Sequence, residues 1–255
     1  VKTIVISNRK GGSAKTTTAV NLASGLAEHG SVLLLDFDTQ GHASIGVGCD
    51  LDEGLGVHSI FSGKTLCETF IPTVHKNLTL SPALAFFDVY EYFDLSGVLK
   101  NRFKMESIAE FFDYCVIDTP PTFDALLKNS LDVADSVVIP FVPHHLGVIA
   151  VGQMLRALYQ SATQNGRKVA DVYILPVMYN PHIVEHRESI NKVKKSFGEA
   201  KLLSPIGVDI NLAKQFESGL PIVLDSKRSK GSNDYSRCVS ELLERFQEVD
   251  KCQVK

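Results

Sequence analysis

Residues 10–17 read Lys10-Gly11-Gly12-Ser13-Ala14-Lys15-Thr16-Thr17, and three aspartates, Asp36, Asp38 and Asp118, stand at or just past the ends of apolar runs. These residue types suit phosphate chemistry. Adjacent glycines let the backbone curl so that successive N–H groups, and the start of a following helix, face an anion. Lys15 is placed to neutralise the β- and γ-phosphates of a nucleotide, and the Thr16 hydroxyl to ligate Mg²⁺. Gly11, Gly12, Ser13, Ala14 and Thr17 complete the cradle. The ordinary pattern G-x-x-x-x-G-K-[ST] is not met, because Ala14 precedes Lys15 and Arg9 stands five places earlier. If the loop requires a positive φ at Ala14, its methyl group adds strain of roughly 1–2 kcal/mol.

Such a loop works only between a strand and a helix, and the chain supplies both. Apolar runs of strand length fall at 2–7, 32–36, 78–81, 114–118, 136–141 and 171–178. Helical periodicity falls at 15–29, 124–132, 146–165, 184–197, 212–218 and 234–249. This alternation predicts a three-layer α/β fold, with a mostly parallel central sheet and helices on both faces. Ligands of such sheets sit at the carboxyl ends of the strands, where Asp36 and Asp118 fall. Gly30, Gly166 and Gly198 follow three of the helices where a left-handed cap is expected. Residues 41–65, rich in Gly, Ser and His, predict a mobile loop near the site. The aromatic run 86–93 is expected to pack on the core.

At 255 residues and 44% hydrophobic, the chain is long enough to bury a sizeable core, and a single domain is expected. A net charge of −3 means that any nucleic-acid binding must come from a local patch. The five cysteines form no C-x-x-C pair and no zinc spacing, so they read as thiols in a reducing cytosol. The sequence shows neither a signal peptide at its start nor an apolar stretch of spanning length, which predicts a cytoplasmic protein.

A second lysine, Lys10, stands ahead of the glycines, giving K-G-G-x-x-K-T-T, and two later segments follow in order. These are Asp36-Phe37-Asp38-Thr39-Gln40-Gly41-His42-Ala43 and Asp118-Thr119-Pro120-Pro121. With these motifs the chain resembles the ParA/MinD branch of P-loop NTPases, whose signature lysine crosses an ATP-bound dimer to the partner's phosphates. The resemblance implies the P-loop NTPase fold, ATP and Mg²⁺ as cofactors, Lys10 acting in trans, Asp38 orienting the attacking water, Asp36 supporting it near the metal, and Asp118 holding the Mg²⁺ shell. It also implies adenine packing by Met178, Pro205 and Gly207. Thr39 departs from the family's usual proline, which, with Ala14, would fit slow hydrolysis.

Within that branch, the resemblance implies either ATP-dependent, non-specific DNA binding with a ParB-like stimulating partner and nucleoid association, or membrane docking by a C-terminal amphipathic helix. The acidic residues of 244–251 would face anionic lipid unfavourably, so no membrane contact is expected. DNA contacts are sought at Arg187, Lys192, Lys194, Lys195, Lys214, Lys227, Arg228 and Lys230, where each phosphate contact adds through counterion release. A solvated charged face is the alternative reading of the same residues. The place of the family's usual arginine is held by residues 209–214, which contain none. A slowly or non-hydrolysing ATP-driven scaffold, and a metabolic or metal-delivery ATPase, remain alternatives; no cysteine pair is placed to bridge a cluster between subunits.

Overall fold

Near-continuous runs of Val, Ile and Leu can be buried on both faces only in the interior of a covered sheet, and the strands obey this. The computed structural model describes residues 1–49, 54–84, 86–91, 95–164, 170–225 and 229–253. Among them the strands are β1 (Lys2–Ile6), β2 (Val32–Asp36), β3 (Ile71–Pro72), β4 (Leu78–Ser81), β5 (Tyr114–Asp118), β6 (Ser136–Phe141) and β7 (Asp171–Pro176). Their order is β3-β4-β2-β5-β1-β6-β7, with every pair parallel except β3 and β4. The helices are α1 (Lys15–Leu26), α2 (His42–Gly46), α3 (Val98–Met105), α4 (Ile108–Phe111), α5 (Ala125–Asp132), α6 (His145–Gln164), α7 (Val184–Phe197), α8 (Asn211–Ser218) and α9 (Lys230–Gln253).

Alternate residues of each strand enter two cores on opposite faces of this sheet. Ile4, Ile6, Val32 and Leu34 join Leu22 and Leu26 of α1 and Val239 and Leu242 of α9. Val5, Leu33 and Leu35 join Leu99 of α3, Leu127 of α5 and Val151 and Met154 of α6. The register then sets the site. Ile6 and Asp36 both lie opposite Asp118, so the ends of β1, β2 and β5 bring the phosphate loop and both aspartates together.

Several expectations need correction. The first helix stops at Leu26 and not at 29, and Gly30 is not left-handed. Gly30 is there because a Cβ would lie 2.6 Å from the Asp113 carboxylate, which accepts from the Ser31 N–H and hydroxyl. Gly198 takes a positive φ of 94 after α7, but with ψ 141 it is extended and not the left-handed helical cap expected, whereas Gly166 lies outside the described residues. The stretch 41–65 is not a featureless loop: it holds α2 and a 3₁₀ turn, Val57–Ser62, while 50–53 lie outside the described residues. Of the aromatic run, Phe87 stacks on His58, but Phe86 and Tyr90 are 91% and 90% exposed, and Tyr92 and Phe93 are not described. The strand expected to reach 178 ends at Pro176, because Met178 turns into the left-handed region at φ 53. Among the described residues, no helix is long and apolar enough to cross a membrane.

Candidate functional site

The phosphate loop leaves β1 and is tied down before it reaches α1. Asn8 Nδ2 donates to the Pro140 carbonyl at 2.7 Å, its Oδ1 accepts from the Lys10 N–H at 3.0 Å, and the Ser13 hydroxyl donates to the Lys10 carbonyl at 2.9 Å. Two loop residues are left-handed, Gly12 at φ 70 and Ala14 at φ 58, ψ 35. The strain expected at Ala14 is therefore present. The turn delivers Lys15 to the start of α1, where only 7% of it is exposed. Burial lowers the pKa of the Lys15 ammonium, while Asp118 and Asp38 pull it back up.

The two strand-end aspartates differ in their bonding. Asp36 is fully buried: Oδ1 accepts from the Asp38 N–H at 3.2 Å, and Oδ2 from the N–H groups of Ala43 and Ser44 at 3.1 and 3.3 Å. Both oxygens thus hold the segment 38–44, which binds Asp36 to the loop and sets it apart from an open metal ligand. Asp118 is equally buried, yet neither carboxylate oxygen has a hydrogen-bond partner among the described residues. Burial pushes its pKa up to about 7; the neighbouring Thr16 hydroxyl and Lys15 oppose this, and Asp38 adds to it. A buried carboxylate without a donor, beside a threonine hydroxyl, is a donor set that fits a hard divalent cation. Asp38 is half-buried, and its Oδ1 accepts from the Gln40 N–H at 3.1 Å.

Lys10, in contrast to Lys15, turns toward the start of α6, where its Nζ lies 3.0 Å from His144 Nε2.

Beside the loop opens a cavity of about 490 Å³, mostly apolar, reached by Ala14 and Thr17 on one side and Met178 and Gly207 on the other. Hydrogen bonding of the Tyr179 N–H to the Ile206 carbonyl joins the last two segments. A Cβ on Gly207 would meet the end of the Lys230 side chain within 2.6 Å, so a larger residue there would have to displace that lysine. Pro205 does not line the cavity. Phe216 and Tyr235 do, and the sequence reading missed them because they reach the site from α8 and α9 through the fold alone; Tyr235 and Thr18 share a hydroxyl–hydroxyl bond of 3.1 Å.

On α7, Ser189 and Val193 are buried. At about 100° per residue, Arg187, Lys194 and Lys195 fall on the opposite half, and Lys192, which is exposed, lies at the flank. Lys194 pairs with Glu199 at 2.7 Å and Arg187 donates to the Pro181 carbonyl. Lys214 and Lys230 are exposed on α8 and α9, away from that group in sequence, and Lys227 and Arg228 lie outside the described residues.

Comparison with known proteins agrees with this geometry. Residues 1–184 match the AAA domain family. The sporulation initiation inhibitor protein Soj of Bacillus subtilis is 30% identical over 247 residues, covering 94% of this chain and 98% of Soj. The chain belongs to the ParA/Soj family. Among solved structures, an ATP complex of a Cyanothece McdA variant superposes with a TM-score of 0.83 at 20% identity, over 97% of this chain and 96% of that one. Cobyrinic acid a,c-diamide synthase from Mycobacterium smegmatis, bound to an ATP analog and magnesium, gives 0.80 at 26% identity, over 96% and 95%. This ParA-family chain therefore has the P-loop NTPase fold expected of it, in a family that includes partitioning ATPases.

Proposed function

We propose that this chain is a ParA-type dimerising switch that binds ATP with Mg²⁺, holds non-specific DNA as the ATP dimer, and is released when a partner protein stimulates hydrolysis. The observation that carries this reading is the division of labour between two lysines of one loop. Lys15 is buried at the base beside Asp118, whereas Lys10 is only half-buried and reaches away from it to His144 at the start of α6. A lysine so placed is available to a second copy's phosphates.

In the proposed reaction, Lys15 and the loop N–H groups hold the β- and γ-phosphates, and the apolar cavity takes the adenine between Met178 and Gly207. Mg²⁺, held by Thr16 and Asp118, would supply charge neutralisation at the phosphates. Asp38 aligns the attacking water, and Asp36 fixes the loop that carries it. Lys10 of the other subunit stabilises the charge that develops on the transferred phosphoryl group. The exposed cations of α7, with Lys214 and Lys230, contact DNA phosphates, each weakly and doubled by dimerisation. Movement or spacing of a plasmid, chromosome or other cargo follows from such a cycle.

Salt-titrated binding to non-specific DNA with ATP, ADP or no nucleotide, read beside sizing chromatography, tests this. The expected result is a dimer and salt-sensitive DNA binding with ATP alone, both lost in Lys10→Ala. Equal binding with ATP and ADP, or normal dimerisation of Lys10→Ala, would overturn it.

A further inference from the structure

His144 is the residue before α6, and its ring does two things. Nδ1 lies 3.0 Å from the Gly147 N–H, an otherwise unpaired donor of the helix's first turn, and so caps the helix. Nε2 lies 3.0 Å from Lys10 Nζ.

A neutral imidazole has one N–H and one lone pair. Capping Gly147 uses the lone pair on Nδ1 and puts the proton on Nε2, where it points at the lysine. Accepting from an ammonium at Nε2 requires the lone pair there and puts the proton on Nδ1, where it opposes the Gly147 N–H. A doubly protonated ring satisfies neither neighbour. The cap and the lysine therefore compete for one lone pair. Burial and the adjacent Lys10 both hold the His144 pKa below its ordinary value, which keeps the ring in this neutral, two-tautomer state. Glu185 at the start of α7 favours its protonation and His186 opposes it; the Glu185 carboxylate accepts from the His145 N–H at 3.1 Å.

We propose that His144 is a positioning residue for Lys10: one tautomer holds the lysine in cis, and the other releases it and caps α6. The part of this that concerns delivery of Lys10 to a second copy rests on the dimer-switch reading; the competition for the lone pair does not. Release of the lysine is then coupled to a bond gained at the helix start, so the lysine is held loosely enough to leave.

The test is ¹⁵N NMR of the His144 ring, with hydrogen exchange at Gly147, in full-length protein without nucleotide. In Lys10→Ala the ring should move toward the Nε2–H tautomer, and the Gly147 amide should exchange more slowly than in wild type. Addition of a Mg²⁺–ATP analogue to wild type should move His144 the same way. In His144→Asn, which keeps a cap but offers the lysine no imidazole, dimerisation should need about three- to tenfold less nucleotide. Identical ring shifts and Gly147 exchange in wild type and Lys10→Ala would overturn the proposal. Failure of wild type to dimerise with ATP, with the Lys10→Ala effect present, would retire the switch reading and leave the His144 contact standing.

Discussion

Ala14 keeps its methyl group in a conformation that costs a non-glycine residue about 1–2 kcal/mol. Replacing it by glycine removes that strain but returns part of it, about 0.5–1 kcal/mol, as unfolded-chain entropy. Ala14→Gly is expected to raise stability by about 0.5–1 kcal/mol, read as a higher urea midpoint with an unchanged slope. A lower midpoint would mean that the methyl contributes packing against the cavity wall. Asp118 makes a different prediction. Its folded pKa lies above its unfolded value, so the stability present at low pH is lost as pH rises from about 4 through about 7. Asp118→Asn removes that loss. Without nucleotide the variant should be more stable than wild type at pH 8, by at most on the order of 4 kcal/mol, and similar to it near pH 4. The same variant should lose the extra stability that Mg²⁺ and ATP give the wild type. Equal midpoints at pH 8 would show that the buried carboxylate has found a donor.

Elements carried unequal signals in the sequence. Four strands were legible to the residue, because β2, β4, β5 and β6 are apolar runs cut off sharply by polar or turn residues. β3 was not, since two residues ending in a proline carry no pattern, and its pairing with β4 is set by the sheet. α2 was missed for a similar reason: five residues do not form a helix on their own propensity, and this one is held by Asp36 across seven and eight residues of chain. The loop lysines and the aspartates were legible because motif order carries them. The cavity residues Phe216 and Tyr235 were not, because nothing local marks them. His58 is another such case. Nε2 donates to the Phe37 carbonyl at 3.3 Å, and Nδ1 accepts from the Leu84 N–H at 3.1 Å, so one tautomer serves both neighbours. The Phe37 N–H in turn donates to the Asp118 carbonyl, so His58 braces the peptide that leads to Asp38. Burial lowers its pKa to about 4, below the unfolded value of 6.5. Its contribution is full above pH 6.5 and is lost as pH falls toward 4, to a total of roughly 3 kcal/mol. The difference in unfolding midpoint between wild type and His58→Gln should therefore narrow between pH 7 and pH 4.5. A constant difference would show that the ring stays neutral or is never buried.

At the scale of the whole molecule, both cores share one sheet, so we expect a single domain with one unfolding transition. The chain has no tryptophan, so tyrosine fluorescence and far-UV circular dichroism are the probes to compare, and their curves should coincide. Two separated transitions would argue for independent halves. A nucleotide at a hundred times its Kd should move that transition by about 2.7 kcal/mol. The two sides of the sheet have one more consequence. At one edge stands β3, two residues long, antiparallel and ending in Pro72, whose nitrogen has no proton to give. At the other, the carbonyls of Ile174 and Pro176 on β7 are already taken by the N–H groups of Leu203 and Ile206. Neither margin offers a long row of open backbone groups to a foreign strand, and this is how soluble sheets avoid growing into fibrils. If the chain meets its own copies as the proposed dimer cycle requires, these margins steer it away from the one kind of meeting that it could not undo.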